Sequence, residues 1–188
     1  MKPSSYRAPA WLPGGNAQTL WPFVCRQPLV GYRRERWTTP DDDFIDLDWL
    51  DADNPEAPLV VVLGGAKVTD KIGVIDRFLE TAQELLIGGA MCFSFFKAEG
   101  RDTGTSLVEE EGVERAGEIL KKAERSETML HLPEDLCLGR EFSADTEVEL
   151  LNGVDVPEGW MGLDIGSNTI AKYAKRIGGA GTVFWNGP

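Results

Sequence analysis

Histidine is almost missing from this chain: His131 is the only one in 188 residues. That argues against a histidine-built metal centre. The three cysteines, Cys25, Cys92 and Cys137, are odd in number, widely spaced and outside any Cys-x-x-Cys pair. They read as small buried hydrophobes in a reducing compartment. No run approaches the ~18 apolar residues of a membrane helix. Met1 to Arg7 is not followed by the apolar stretch of a signal peptide, so a cytoplasmic location is expected. Positive charge is in deficit, with 19 Lys and Arg against 31 Asp and Glu and a net charge of −12. Nucleic acid and anionic membrane are thus disfavoured as partners, and any anionic ligand must rely on a local cluster of lysines and backbone donors. Also absent are a Gly-x-Ser-x-Gly elbow and a Gly-x4-Gly-Lys-Ser/Thr phosphate loop. The hydrophobic content of 42% is that of an ordinary globular protein, and the length allows one domain or a domain with an extension.

The most informative stretch that is present begins with the apolar run Pro58-Leu-Val-Val-Val-Leu63, which stops at Gly64 and Gly65. Lys67 and Lys71 follow at the expected start of a helix. Glycines allow close approach of backbone to a ligand, and a helix start offers free N–H donors and a positive dipole end. Two ammonium groups at i and i+4 share one face of a helical turn, an arrangement suited to a polyphosphate. A strand, a turn and a helix with two solvated lysines would give the same spacing.

Alternating strand and helix patterns continue from there. Residues 71–83 place Ile72, Ile75, Leu79 and Ala82 at helical spacing, and residues 85–88 form a short buried strand. Residues 91–99 are a helix with an aromatic face, whose Phe93, Phe95 and Phe96 read as core. Residues 109–125 are a charged amphipathic helix, for which Glu109, Glu110 and Glu111 supply an acidic start. Residues 128–132 form a strand that carries His131, a half-buried structural histidine with no acidic partner at fixed spacing. Residues 134–151 hold a short hairpin excursion. Residues 167–177 are a helix with Ser167 as N-cap, and residues 182–185 are the last strand. This order implies a parallel α/β sheet with right-handed crossovers. Before residue 58 the composition changes: Trp11, Trp21, Trp37 and Trp49 lie there, and two short strands around the Pro40-Asp-Asp-Asp43 turn suggest a β-hairpin.

The segment Gly64-Gly-Ala-Lys-Val-Thr-Asp-Lys-Ile72 resembles the nucleotide-site motif of the phosphoglycerate kinases. Leu86 to Lys97 is similar to that family's Gly-Gly-Gly-Met-Ala-Phe-Thr-Phe segment, with Ala90 at the third glycine. Gly104 to Glu110, Glu141 to Asp145, Pro157 to Gly166 and Val183 to Pro188 follow in family order. The resemblance implies the first four strands of a doubly wound, Rossmann-like sheet of order 3-2-1-4-5-6, with ligand at the C-terminal strand ends. It further implies ATP or ADP and Mg2+ as ligands, with reversible phosphoryl transfer between 1,3-bisphosphoglycerate and ADP in glycolysis as the activity. Lys67 and Lys71 would contact phosphates and offset charge on the transferring group, with Gly65 and Ala66 lining the loop. Asp70 would lie near the magnesium, unless it merely favours a first helical turn. Gly88 and Gly89 would form the floor beneath adenine and ribose, Gly162 and Leu163 the opposite wall, and Asn186 and Pro188 the rim near the sugar. The added methyl of Ala90 is expected to alter nucleotide fit slightly. The family's acyl-substrate lobe and its Gly-Gly-Gly-Asp loop are not among these residues. Weak or no nucleotide binding and no turnover are therefore expected of this chain alone, with 3-phosphoglycerate a partner only if that lobe were supplied.

The segment before residue 64 differs. Trp11 to Pro22, Arg33 to Trp37 and Asp42 to Leu50 resemble the N-terminal region of an α/β-hydrolase family of predicted esterases. The expected organisation is thus a partly irregular, hydrolase-like extension over residues 1–57 and a truncated kinase-like domain over residues 58–188. Hydrolase activity is not expected, because the nucleophile elbow is missing and the lone histidine lies in the kinase-like part. Two readings compete with the kinase assignment: a fragment of a hydrolase-family esterase, and a chimeric fusion product without function. The latter would leave residues 182–185 as an exposed, aggregation-prone edge.

Overall fold

The computed structural model describes residues 33–38, 44–49 and 57–187. The expected hairpin is present as β1 (Arg33–Thr38) and β2 (Phe44–Trp49), paired antiparallel from Arg33 opposite Trp49 to Thr38 opposite Phe44. The remaining hydrolase-like motifs lie outside the described residues.

The central sheet has four parallel strands in the order β5-β4-β3-β9. These are β3 (Leu59–Leu63), β4 (Glu84–Ile87), β5 (Met129–His131) and β9 (Thr182–Asn186). The order is the expected 3-2-1-4. The inner strands β3 and β4 are nearly continuous apolar runs because both their faces are covered. Alternate residues face opposite sides. Val61, Leu63, Leu85 and Ile87 join one core with Ile75, Phe78 and Leu79 of α1 (Ile72–Thr81), the aromatics of α2 (Cys92–Ala98) and Ala116 and Ile119 of α3 (Glu110–Ala123). Val60 and Leu86 face the other way, against Tyr173 of α4 (Ser167–Gly178). The Tyr173 hydroxyl donates to Ile87 O at 2.9 Å, with His131 O at 3.0 Å, which ties α4 to the ends of β4 and β5. Phe93, Phe95 and Phe96 are core, as expected.

A second sheet is antiparallel, with β6 (Leu136–Gly139) between β7 (Val148–Leu151) and β8 (Met161–Ile165). The excursion after β5 is therefore three-stranded, and β8, with its inserted glycine and aspartate, has too weak an alternation to read as a strand. Two further local readings change. The N-cap of α4 is Gly166 rather than Ser167. The charge that serves this helix start comes from Asp135, whose carboxylate accepts from Asn168 N and Thr169 N, both at 2.8 Å, and from Thr169 Oγ1 at 2.5 Å. His131 does have an acidic neighbour, Glu84 on the adjacent strand, with Nε2 and Oε2 3.2 Å apart. Period-2 spacing along one strand cannot reveal a partner across the ladder.

At the far side of β9 no further strand is paired among the described residues, and Val183 and Trp185 are exposed. Among the described residues no helix is long and apolar enough to cross a membrane.

Candidate functional site

Three strand tips meet at the C-terminal edge of the central sheet. Gly64 N donates to Asn186 O at 3.0 Å, Gly88 N to Leu63 O at 2.8 Å and Met91 N to Gly65 O at 2.9 Å. The contact is backbone on backbone, which is why glycine recurs. A Cβ on Gly89, whose φ is +64°, would lie 2.6 Å from Gly65 N, and one on Gly187, at φ +96°, would lie 2.5 Å from Gly64 O. No side chain fits at either place. Gly88 differs, since nothing lies within 4 Å of the position its Cβ would take.

The chain then runs from Gly65 (φ +123°) through exposed Ala66 and Lys67 into a 3-10 turn, Thr69–Lys71, and α1. The Lys71 side chain folds back along Gly65 and its ammonium donates to Asn186 Oδ1. Lys71, Gly65 and Asn186 are thus brought together. Lys67 is exposed next to Glu109, whose carboxylate feels its charge. Asp70 is exposed on the turn between the two lysines. Among the described residues no group of three or more His, Cys, Asp or Glu side chains converges as a metal cage.

The N–H donors of the turn that leads into α1 are not all free. The side chain of Glu109, at the N-cap position of α3, makes no capping hydrogen bond to its own helix. Its carboxylate instead accepts from Val68 N at 2.7 Å, Thr69 N at 3.2 Å and the Thr69 hydroxyl. Burial works to raise the Glu109 pKa, but the bonds from Thr69 and Val68, with the Lys67 charge, outweigh it and hold the carboxyl below its ordinary value. The acidic run 109–111 is therefore more than a helix start. No local signal marks Glu109, because its partners lie about 40 residues away in sequence.

Adjoining this cationic end is an apolar slot of about 330 Å³ between Gly89-Ala90 with Phe93 on one side and Met161, Gly162 and Leu163 of β8 on the other. Gly162 is held by its N–H bond to Ser106 Oγ at 2.9 Å, and its missing Cβ is filled by the Phe93 ring. Phe142, 92% exposed, stands at the mouth. Neither Met161 nor Phe142 was singled out by the sequence pattern. Cys92 lines the slot, but its thiol is buried and pushed far up in pKa by desolvation, so it is inert. Gly65, Ala66, Lys67, Lys71 and Asn186 belong to the cationic end, Gly89, Ala90, Gly162 and Leu163 to the slot, and Gly89 joins the two through Gly65. Pro188 lies outside the described residues. A larger groove of about 710 Å³, lined by Asp76, Leu79, Gln83, Lys122 and Thr128, opens at the opposite, N-terminal end of the strands. Parallel sheets bind ligands at the other end. An apolar slot joined through Gly89 to a glycine loop that carries Lys71 at its far end suits a flat, largely apolar group with a polyanionic tail.

The family model for phosphoglycerate kinase matches residues 49–188. The phosphoglycerate kinase of Thermosipho africanus is 48% identical over 136 residues, covering 72% of this chain and 34% of that protein. That of Clostridium perfringens is 50% identical over 136 residues with the same coverage. Among solved structures, the phosphoglycerate kinase of Coxiella burnetii matches 73% of this chain and 35% of its own at 38% identity and a TM-score of 0.68. That of Pyrococcus horikoshii OT3 matches the same shares at 27% identity and a TM-score of 0.60. The chain spans about a third of the length of the curated relatives it matches. The match begins at Trp49, nine residues before the expected boundary at 58, and these findings give the hydrolase-like reading of the earlier segment no support.

Proposed function

The chain belongs to the phosphoglycerate kinase family, and from that premise we propose that residues 58–188 are part of the nucleotide-binding lobe of a cytoplasmic phosphoglycerate kinase. The base of ADP or ATP occupies the slot between Gly89-Ala90 and Gly162-Leu163, and the phosphates reach Gly65, Ala66, Lys67 and Lys71. The observation that carries this reading is the Lys71 ammonium at Asn186, beside Gly65, where three strand tips converge. Two cations there offset the charge of a transferring phosphoryl group, which needs positioning and electrostatics more than covalent help. Asn186 forms the rim near the ribose, and Gly88, with open space beside it, adds to the floor.

Magnesium fits this site only as an ion carried on the phosphates. Asp70 is one exposed carboxylate between two lysines, and Mg2+ typically takes one or two carboxylates, phosphate oxygens and waters. Asp70 would be the carboxylate that holds such an ion, which would supply positive charge to offset that of the phosphates. The whole enzyme's reaction, transfer between 1,3-bisphosphoglycerate and ADP, needs a site for 3-phosphoglycerate that these residues do not supply. The hydrolase resemblance of residues 1–63 contributes nothing to this reading.

Titration of the 188-residue chain with Mg-ADP, followed by amide NMR to tolerate weak binding, tests it. Binding that Lys71→Ala weakens by about tenfold, equal to about 1.4 kcal/mol, is expected. Unchanged affinity in that variant would refute the role given to Lys71.

A further inference from the structure

Glu109 poses a problem that simple electrostatics does not solve. It is a carboxylate placed beside a site read as binding an anionic tail, where its charge opposes the ligand. Yet it is held there by three donors and by a glycine: a Cβ on Gly112 would lie 2.5 Å from Glu109 Oε2. Its main chain is fixed as well, because Gly112 N at 2.9 Å and Ser94 Oγ at 3.3 Å both donate to Glu109 O. The donors it engages, Val68 and Thr69, lie between the two lysines, and Lys71 N in turn donates to Val68 O at 2.9 Å. Val68 itself is fully buried. The whole stretch from Lys67 to Lys71 therefore hangs on this carboxylate and on the Val68 side chain.

We propose that Glu109 is a positioning residue for the phosphate end of the site, a proposal that rests on the nucleotide reading above. By filling the start of the turn that leads into α1, it denies the Val68 and Thr69 N–H donors to the ligand. The phosphates are left to the ammonium groups of Lys67 and Lys71 and to the Gly65 loop. By pinning Val68 and Thr69 it fixes the backbone from which both lysines project, so that Lys71 reaches Asn186 rather than solvent.

The proposal makes a prediction opposite in sign to plain charge removal. Glu109→Gln keeps the size and deletes the negative charge; by Coulomb attraction alone Mg-ADP should bind more tightly. As a positioning residue, its neutralisation weakens Mg-ADP about tenfold. Adenosine, which lacks phosphates and uses only the slot, is bound within twofold of the unaltered chain. In the ligand-free protein, hydrogen exchange at the Val68 and Thr69 amides accelerates while β3 amides keep their protection. Thr69→Val, which removes one of the three donors, shifts Mg-ADP affinity in the same direction by a smaller factor. Mg-ADP affinity unchanged or tighter in Glu109→Gln overturns the proposal, as does an equal loss for adenosine and Mg-ADP, which would mark a merely structural role. Lys71→Ala is titrated alongside. If it weakens Mg-ADP and Glu109→Gln does not, this inference alone fails; if Lys71→Ala has no effect, the nucleotide reading fails and takes the inference with it.

Discussion

Two helix starts in this molecule are built with the same parts and set in opposite surroundings. At α4, Asp135 reaches across 34 residues to accept from a threonine hydroxyl and two backbone N–H groups. At the turn leading into α1, Glu109 reaches across 40 residues to do the same, again with a threonine. Each needs a nearby glycine to leave room, Gly166 for Asp135 and Gly112 for Glu109. Asp135 is only 4% exposed, and its contacts are with the segment it caps. Glu109 is half-buried, with Lys67 and Lys71 flanking its donors. The same device thus serves stability in one place and the shape of a cationic loop in the other, and the neighbouring charges decide which.

Replacing each carboxylate separates the two uses. Asp135→Ala strands a buried hydroxyl and two helix N–H groups, so a loss of about 2–3 kcal/mol is expected, read as a lower denaturation midpoint at unchanged slope. An effect under about 0.5 kcal/mol, the range of ordinary surface changes, would mean that water satisfies those donors equally well. Next in size is Gly162→Ala, whose methyl would overlap the Phe93 ring. Overpacking there should cost about 1–3 kcal/mol. Because the slot narrows, it should also weaken adenosine, which separates the base end from the lysine end; full adenosine affinity in a folded variant would place the base elsewhere.

Acid titration compares the two carboxylates directly. For Asp135, burial favours the neutral form, but the bonds from Thr169 and Asn168 outweigh it and hold the carboxyl below its ordinary value of 3.8. Glu109 likewise sits below its ordinary 4.5. A lowered acid pKa contributes stability that is present above the unfolded value and lost as pH falls through the folded one. The unfolding free energy should therefore drop below about pH 4, with a shallower drop in Asp135→Ala. The same slope in both proteins would remove Asp135 from the account.

The smallest effect belongs to His131. Burial first, then the Arg176 charge, lower its pKa below the ordinary 6.5 against the pull of Glu84. The folded state disfavours the charged imidazole relative to the unfolded chain, so stability should fall gently as pH drops below about 6.5, and His131→Gln should flatten that slope. A rise in stability over that interval would show that Glu84, which Arg176 also contacts, holds the proton on the imidazole instead.

Much of this was legible in the sequence where the determinants are local. The run Leu59–Leu63, the helical spacing through α1 and α3 and the glycine pair at 64 and 65 each state their structure within a few residues. The 3-2-1-4 strand order came from the family resemblance, and with that order the tips at Gly64 and Asn186 had to meet, since neighbouring parallel strands deliver their C-terminal ends to one edge. What stayed hidden acts across the chain. Glu109 looked like one more acid in a helix start, Ser167 like a cap that Gly166 and Asp135 in fact replace, and His131 like a residue without an acid. β8 was hidden for another reason: its pairing with β6, rather than its own pattern, makes it a strand.

The most direct test of the central claim is an amide NMR titration of the chain with Mg-ADP, read residue by residue. The account predicts saturable shifts at residues 65–71, 161–163 and 186–187, with none around Asp76, Gln83 and Lys122 at the other end of the sheet. Shifts confined to that larger groove, or shifts in 161–163 with residues 65–71 silent, would contradict it.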